Sequence, residues 1–257
     1  MPSPFRSAAF LKSVAALEQA PESAGEIAFA GRSNTGKSSA INALTGRRLA
    51  QVSKTPGRTR LINYFALDAG KFLVDLPGYG YAKVPAATRA PWEKLLGGYL
   101  QSRGPLRGLA LVMDVRHPLT ALDRRMLEWF RPTRKPVHVL LTKADKLSRE
   151  AGRIILRRVA DEVAAIGPAI TVQLFSGLRK TGLEEAEAVF DCWLAESAPG
   201  ALKPSVSRTM ETPGCTGGLE IKAPGLKGEI SPGQNALRFK APRSGRRSGR
   251  RPKPSTA

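Results

Sequence analysis

Residues 29–42 read FAGRSNTGKSSAIN. Gly31 and the triplet Gly36-Lys37-Ser38 satisfy the spacing G-x-x-x-x-G-K-[ST]. The apolar run EIAFA (26–30) precedes the loop and the helix-forming SSAINALTG follows it. Strand, glycine loop and helix in that order let successive backbone N–H groups wrap a phosphate, with the positive end of the helix behind them. Lys37 is then expected to bridge the outer two phosphates of a nucleoside triphosphate, and the Ser38 hydroxyl to bind Mg²⁺.

Outward from this loop, apolar runs alternate with helical patterns. Strands are expected at EIAFA, LINYFAL (61–67), KFLVDL (71–76), LALVMD (109–114), VHVLLT (137–142) and ITVQLF (170–175). Helices are expected after the glycine loop, over about 90–101, and in LDRRMLEWF, REAGRIILRRVADEVAAI and LEEAEAVFDCWLAE. Near-continuous Val, Leu and Ile between helices predict a mostly parallel sheet covered on both faces. The expected fold is α/β, a P-loop NTPase domain with a six-stranded sheet and one antiparallel edge strand from the LINYFAL/KFLV pair. Residues 1–24 read as a lead-in, 25–197 as the domain and 198–257 as a tail. The tail is rich in Pro, Gly, Ser, Lys and Arg and ends near SGRRSGRR. It holds too little apolar surface to offset the entropy of ordering and reads as disordered.

Two further loops select the nucleotide. DLPG (75–78) ends a strand with an acid and fits D-x-x-G: Asp75 would reach Mg²⁺ through water, and the Gly78 N–H would meet the γ-phosphate. Thr142-Lys143-Ala144-Asp145 ends a later strand. A carboxylate there accepts from guanine N1–H and N2–H₂ together, whereas adenine presents an acceptor at N1 and no 2-amino group. The stem of Lys143 can lie over the base plane. The order of the three loops along the chain points to GTP. Between them SKTPGRTRLIN (53–63) offers Thr55 and Thr59 for a second magnesium hydroxyl, with Thr59 favoured for its place just before a strand.

Charge narrows the partners. The 257 residues carry 41 Lys and Arg against 21 Asp and Glu, a net +20. Residues 201–257 hold 12 of those bases and 3 of the acids, leaving 29 against 18 for the rest, so the body is basic in its own right. A polyanionic partner is expected, either nucleic acid or an anionic membrane surface, with a merely basic tail as the bland alternative. No apolar run approaches the roughly 20 residues of a membrane span. The N-terminus is poor in acid and faintly resembles a transit peptide, with the domain's own lead-in as the alternative. The two cysteines, Cys192 and Cys215, form no metal or redox spacing, which fits a reducing cytoplasm.

FAGRSNTGKSSAIN, SKTPGRTRLINYF, VDLPGYGYAKV, MDVRHPLTALD (113–123) and LLTKADKL together resemble the EngB/YihA group of bacterial GTPases, in the class that includes Era and MnmE-type proteins. The likeness covers roughly residues 5–197. It places the nucleotide against Gly31, Arg32, Ser33, Asn34, Thr35, Gly36, Lys37, Ser38 and Ser39. From the next loop it adds Gly57, Arg58, Thr59, Arg60 and Leu61, and then Asp75, Leu76, Pro77 and Gly78. Thr142, Lys143, Ala144 and Asp145 hold the base, with Phe175, Ser176 and Gly177 beside it. Ser38 and Thr59 would be the metal ligands, and Lys37, Asn34 and Thr59 the catalytic residues. The group usually has paired serines where this chain has Ser176-Gly177, so a hydroxyl contact at 177 is lost.

The resemblance implies a monomeric cytoplasmic GTPase that assembles the large ribosomal subunit on its rRNA, in a group linked to cell division and septation. The alternative is a nucleotide-dependent binding module whose hydrolysis is incidental. Asn34 matches the position that in MnmE-like relatives helps hold K⁺, an effect comparable to an arginine finger at about 10³–10⁵ in rate. Equally, Asn34 could merely tolerate a left-handed turn. Tyr79 stands where many GTP hydrolases carry a water-orienting glutamine, which implies slow hydrolysis without help. On that basis Tyr79→Ala would leave GTP affinity nearly unchanged. His138 and the helical aromatics Trp92, Tyr99, Trp129 and Trp193 read as packing residues, and His117 has no assigned role.

Overall fold

Three apolar runs are buried on both faces and become the middle of one sheet: β2 (Gly25–Gly31), β5 (Leu106–Asp114) and β6 (Val137–Thr142). The computed structural model describes residues 3–51, 61–79, 95–167 and 169–195. Among these the other strands are β1 (Ala9–Val14), β3 (Ile62–Ala66), β4 (Lys71–Asp75) and β7 (Ile170–Leu174). The order across the sheet is β1-β3-β4-β2-β5-β6-β7. Strand β3 runs antiparallel to both of its neighbours, and the remaining pairs are parallel.

The sheet therefore has seven strands rather than six, and β3 is covered by β1 instead of forming the edge. The extra strand lies inside the stretch expected to be a lead-in. Five of its six residues are exposed, so AFLKSV carries no alternation from which burial could be read. Its place is set by pairing with β3, including a register shift between Phe10 and Lys12.

Helices cover both faces. Residues 95–102 (α2), α3 (Ala121–Phe130) and α4 (Arg149–Ile166) pack on one side. On the other lie α1 (Lys37–Thr45), α5 (Leu183–Ala195) and the buried Phe5. Gly108 on β5 lets Trp193 of α5 lie flat on the sheet, since a Cβ there would fall 2.4 Å from the indole ring. Helix α4 starts where the Ser148 hydroxyl accepts from the Ala151 N–H, and it stops at Gly167.

A fully buried carboxylate ties α2 to the sheet end remote from the glycine loop. Glu26 accepts from Arg103 (Nε 3.0 Å, Nη2 2.6 Å) and from the Tyr99 hydroxyl at 2.6 Å. Removing one partner from such a pair costs about 3–5 kcal/mol, because a lone charge stays buried. Tyr99 is thus a packing residue with a polar duty at its tip. His138 is enclosed on β6, with Thr171 Oγ1 at 2.6 Å and Gln173 Oε1 at 2.7 Å from its ring nitrogens. Burial pushes its pKa below the usual histidine value, so it serves as a neutral structural group. Trp193 is buried as expected, and Trp92 lies outside the described residues.

Candidate functional site

The loop after β2 is shaped by residues that leave the ordinary backbone regions. Asn34 has φ 61° and Gly36 has φ 103°, so the chain turns left-handed twice before α1 begins at Lys37. Gly31 admits no side chain, because a Cβ would lie 2.6 Å from the Val112 carbonyl and 2.8 Å from Thr35 Oγ1. The Thr35 hydroxyl closes the turn by donating to the Arg32 carbonyl at 2.8 Å. Such a turn presents several N–H groups to one point, which is an anion-binding arrangement. Lys37 leaves this loop and pairs with Asp75 at the end of β4. That carboxylate is 4 % exposed and also faces the Asn63 amide, at 3.4 Å.

The T-K-A-D loop is fastened to the glycine loop from the other side. The Thr142 hydroxyl faces the carbonyls of Thr35 and Met113. Lys143, left-handed at φ 60°, donates to the Asn34 carbonyl (2.7 Å) and to Asp114 Oδ2 (2.8 Å). Burial alone would raise the Asp114 pKa, but hydrogen bonds from Arg116 and Lys143 hold it well below the usual carboxylate range. Asp145 accepts from the buried Ser176 hydroxyl at 2.6 Å, and this bond chiefly keeps its pKa low. The Ala144 N–H donates to the Phe175 carbonyl, so the loop after β7 is brought in as well. Gly177 lies close to α1: a Cβ there would be 3.0 Å from the Ser39 carbonyl. A serine at 177 would require this contact to give by a few tenths of an ångström.

The expected residues therefore converge from four strand ends, those of β2, β4, β6 and β7, though not all through their side chains. Leu76 and Phe175 are fully buried in the core and bring only backbone to the site. Leu61 and Ser39 are exposed, and Pro77 is buried beside Gly78. Gly57, Arg58, Thr59 and Arg60, with the alternative Thr55, lie outside the described residues. The guanidinium of Arg32 turns away from the loop. Its Nε reaches Asp123 at 3.2 Å and its Nη2 the His117 carbonyl at 3.0 Å.

Tyr79 requires a correction. Its ring is fully enclosed and its hydroxyl donates to Asp123 at 2.9 Å. It is a core residue with one committed polar contact rather than a side chain standing in for glutamine at the attacking water. Truncation to alanine would empty a packed position, so near-neutral behaviour of Tyr79→Ala no longer follows. Sequence reasoning also missed Asp114, Arg116 and Asp123 as site supports. The only signal was their clustering in MDVRHPLTALD, and charge alone does not say which way a side chain points.

Among the described residues no group of three or more His, Cys, Asp or Glu could hold a metal unaided. Magnesium does not need one. It keeps several waters and takes one or two protein oxygens beside phosphate oxygens, and the Ser38 hydroxyl and Asp75 carboxylate are hard donors of that kind. Among the described residues no helix is long and apolar enough to cross a membrane.

A family model described as 50S ribosome-binding GTPase matches residues 26–143. The chain is 59% identical over 194 residues to the probable GTP-binding protein EngB of Dechloromonas aromatica, covering 74% of this chain and 88% of that one. Its counterpart in Aromatoleum aromaticum is 60% identical over 192 residues, covering 74% and 89%. A crystal structure of a probable GTP-binding protein engB superposes with a TM-score of 0.54 at 21% identity, over 66% of this chain and 98% of that one. Era, solved in complex with MgGDPNP and nucleotides 1506–1542 of 16S ribosomal RNA, gives 0.54 at 22% identity over 70% and 59%. These two structural likenesses bear on the fold. With well over half of the aligned residues identical along nearly nine-tenths of its relatives, the chain belongs to the EngB family of GTP-binding proteins, built on a GTPase G domain.

Proposed function

We propose that this protein is a slow GTPase that acts in the cytoplasm, as a monomer, in assembly of the large ribosomal subunit, with the septation link of its group. The observation that carries the nucleotide part is the double attachment of Lys143 to the Asn34 carbonyl and to Asp114. It joins the loop suited to guanine with the loop suited to phosphates at one place. In this reading the backbone from Gly31 to Ser38 wraps the β-phosphate, Lys37 bridges to the γ-phosphate, and Asp145 with Ser176 and Gly177 reads guanine. Ser38 and Thr59 hold magnesium with Asp75 behind it, and the ion when bound supplies positive charge to the phosphate oxygens. The Gly78 N–H contacts the γ-phosphate.

Slow turnover follows from Tyr79, whose hydroxyl is spent on Asp123 and offers nothing to an attacking water. Partner choice rests on the description of the matched family and on the basic body, with the 198–257 tail adding non-specific phosphate contacts. Co-sedimentation with separated ribosomal subunits in GTP, GDP and a non-hydrolysable analogue tests this. Association with the large subunit should occur in the triphosphate states and fall in GDP, with turnover rising on the particle. Binding that ignores the nucleotide, or that prefers the small subunit, would sink it. Asn34 is further expected to bring K⁺ to the phosphates, so turnover should be faster in potassium than in sodium. Equal rates in both salts, with the subunit present, remove the ion from the scheme.

A further inference from the structure

Asp123, third residue of α3, is a fully buried carboxylate with every acceptor position in use. Its Oδ2 accepts from the Thr120 N–H (3.0 Å), the Thr120 hydroxyl (2.7 Å) and Arg32 Nε (3.2 Å). Its Oδ1 accepts from the Tyr79 hydroxyl (2.9 Å) and from Arg32 Nε (3.3 Å). The Thr120 contacts alone would make this a helix cap. The other two do not belong to a cap, because they come from residues 44 and 91 positions away.

Those two donors flank the glycine assigned to the γ-phosphate. The Leu76 N–H donates to the Phe29 carbonyl (3.0 Å) and the Tyr79 N–H to the Gly31 carbonyl (3.3 Å), so Leu76-Pro77-Gly78 spans an arch pinned at both ends to β2. Gly78 lies along the glycine loop, with a built Cβ 3.5 Å from the Ser33 nitrogen. The second pin is a short bridge between Tyr79 and Arg32, isolated from the strands, next to a stretch bearing further glycine. Asp123 reinforces it by holding the side chains of Tyr79 and Arg32, which are bridge partners.

We propose that Asp123 is a positioning residue for triphosphate recognition: through Tyr79 and Arg32 it clamps the chain just after Gly78 to the glycine loop, fixing the Gly78 N–H relative to the β-phosphate site. The clamp rests on the assignment of Gly78 to the γ-phosphate. Burial, and next the Asp123 carboxylate, hold the Tyr79 pKa well above that of free tyrosine, so the phenol remains a donor across the biological range.

The test compares affinities for GDP and for a non-hydrolysable GTP analogue in the full chain. Tyr79→Phe removes one hydroxyl and keeps the ring. It is expected to weaken the triphosphate analogue by about tenfold, the scale of one hydrogen bond to a charged group, while GDP stays within about twofold. Asp123→Asn should show the same selective pattern more strongly. A merely structural role would lower the melting temperature of Tyr79→Phe and leave the GDP-to-triphosphate ratio unchanged, which overturns the proposal. Gly78→Pro removes the N–H itself and separates the two layers. If it shifts the ratio and Tyr79→Phe does not, the clamp is wrong and the γ-phosphate assignment stands. If Gly78→Pro leaves the ratio unchanged, the assignment fails and the clamp falls with it.

Discussion

Asp145→Asn is expected to turn a guanine nucleotide protein into a xanthine nucleotide protein. The carboxylate is 7 % exposed in its side chain, ionised, and held by the Ser176 hydroxyl at Oδ1. Guanine offers two donors on one edge, and an ionised carboxylate accepts both. An asparagine keeps one acceptor and replaces the other with a donor that meets the guanine 2-amino group head on. Xanthine carries a carbonyl at that carbon and restores the pair. Hydrogen bonds to charged groups contribute about 1.5–3 kcal/mol each. GTP affinity should therefore fall about a hundredfold or more, and xanthosine triphosphate should bind within about tenfold of the original GTP affinity. Competition binding with the two triphosphates decides it. Unchanged GTP affinity would mean that the base is not read by this loop.

Lys37→Ala should produce the other large effect, with two consequences that can be separated. The ammonium is 11 % exposed and faces Asp75, which keeps only a long contact to the Asn63 amide once the lysine is gone. Loss of two charge-assisted contacts to phosphate should reduce affinity for GTP and GDP by about a hundredfold to ten-thousandfold. The stranded carboxylate should also destabilise the fold, by less than the 3–5 kcal/mol typical of fully buried pairs because the site is open to water. The double variant Lys37→Ala with Asp75→Asn removes the stranded charge. It should recover the denaturant midpoint of the wild type and stay unable to bind nucleotide. Recovery of binding as well would show that Lys37 acts only by neutralising Asp75.

Both outcomes rest on residues that announce themselves in the chain. Gly31, Gly36, Lys37 and Ser38 do so because a phosphate loop is built from adjacent residues whose types are dictated by backbone conformation and charge. Asp75 and Thr142 to Asp145 do so because each ends an apolar run long enough to read as a buried strand. The strand and helix alternation was legible for the same reason, since β2, β5 and β6 bury both faces and leave no polar position to blur the pattern. Strand β1 was not, because an exposed edge strand is defined by hydrogen bonds to β3 and hardly by burial.

By itself, then, the sequence determined the three loops, their order and the guanine chemistry that they imply, all of them properties of short contiguous segments. The tertiary structure decided the seventh strand, the turn of the Arg32 side chain toward Asp123 and the attachment of Tyr79 to the same carboxylate. The physical reason is separation along the chain. A buried carboxylate takes whichever donors the packing of distant segments brings to it, and no local preference of Tyr79, Arg32 or Asp123 names the other two.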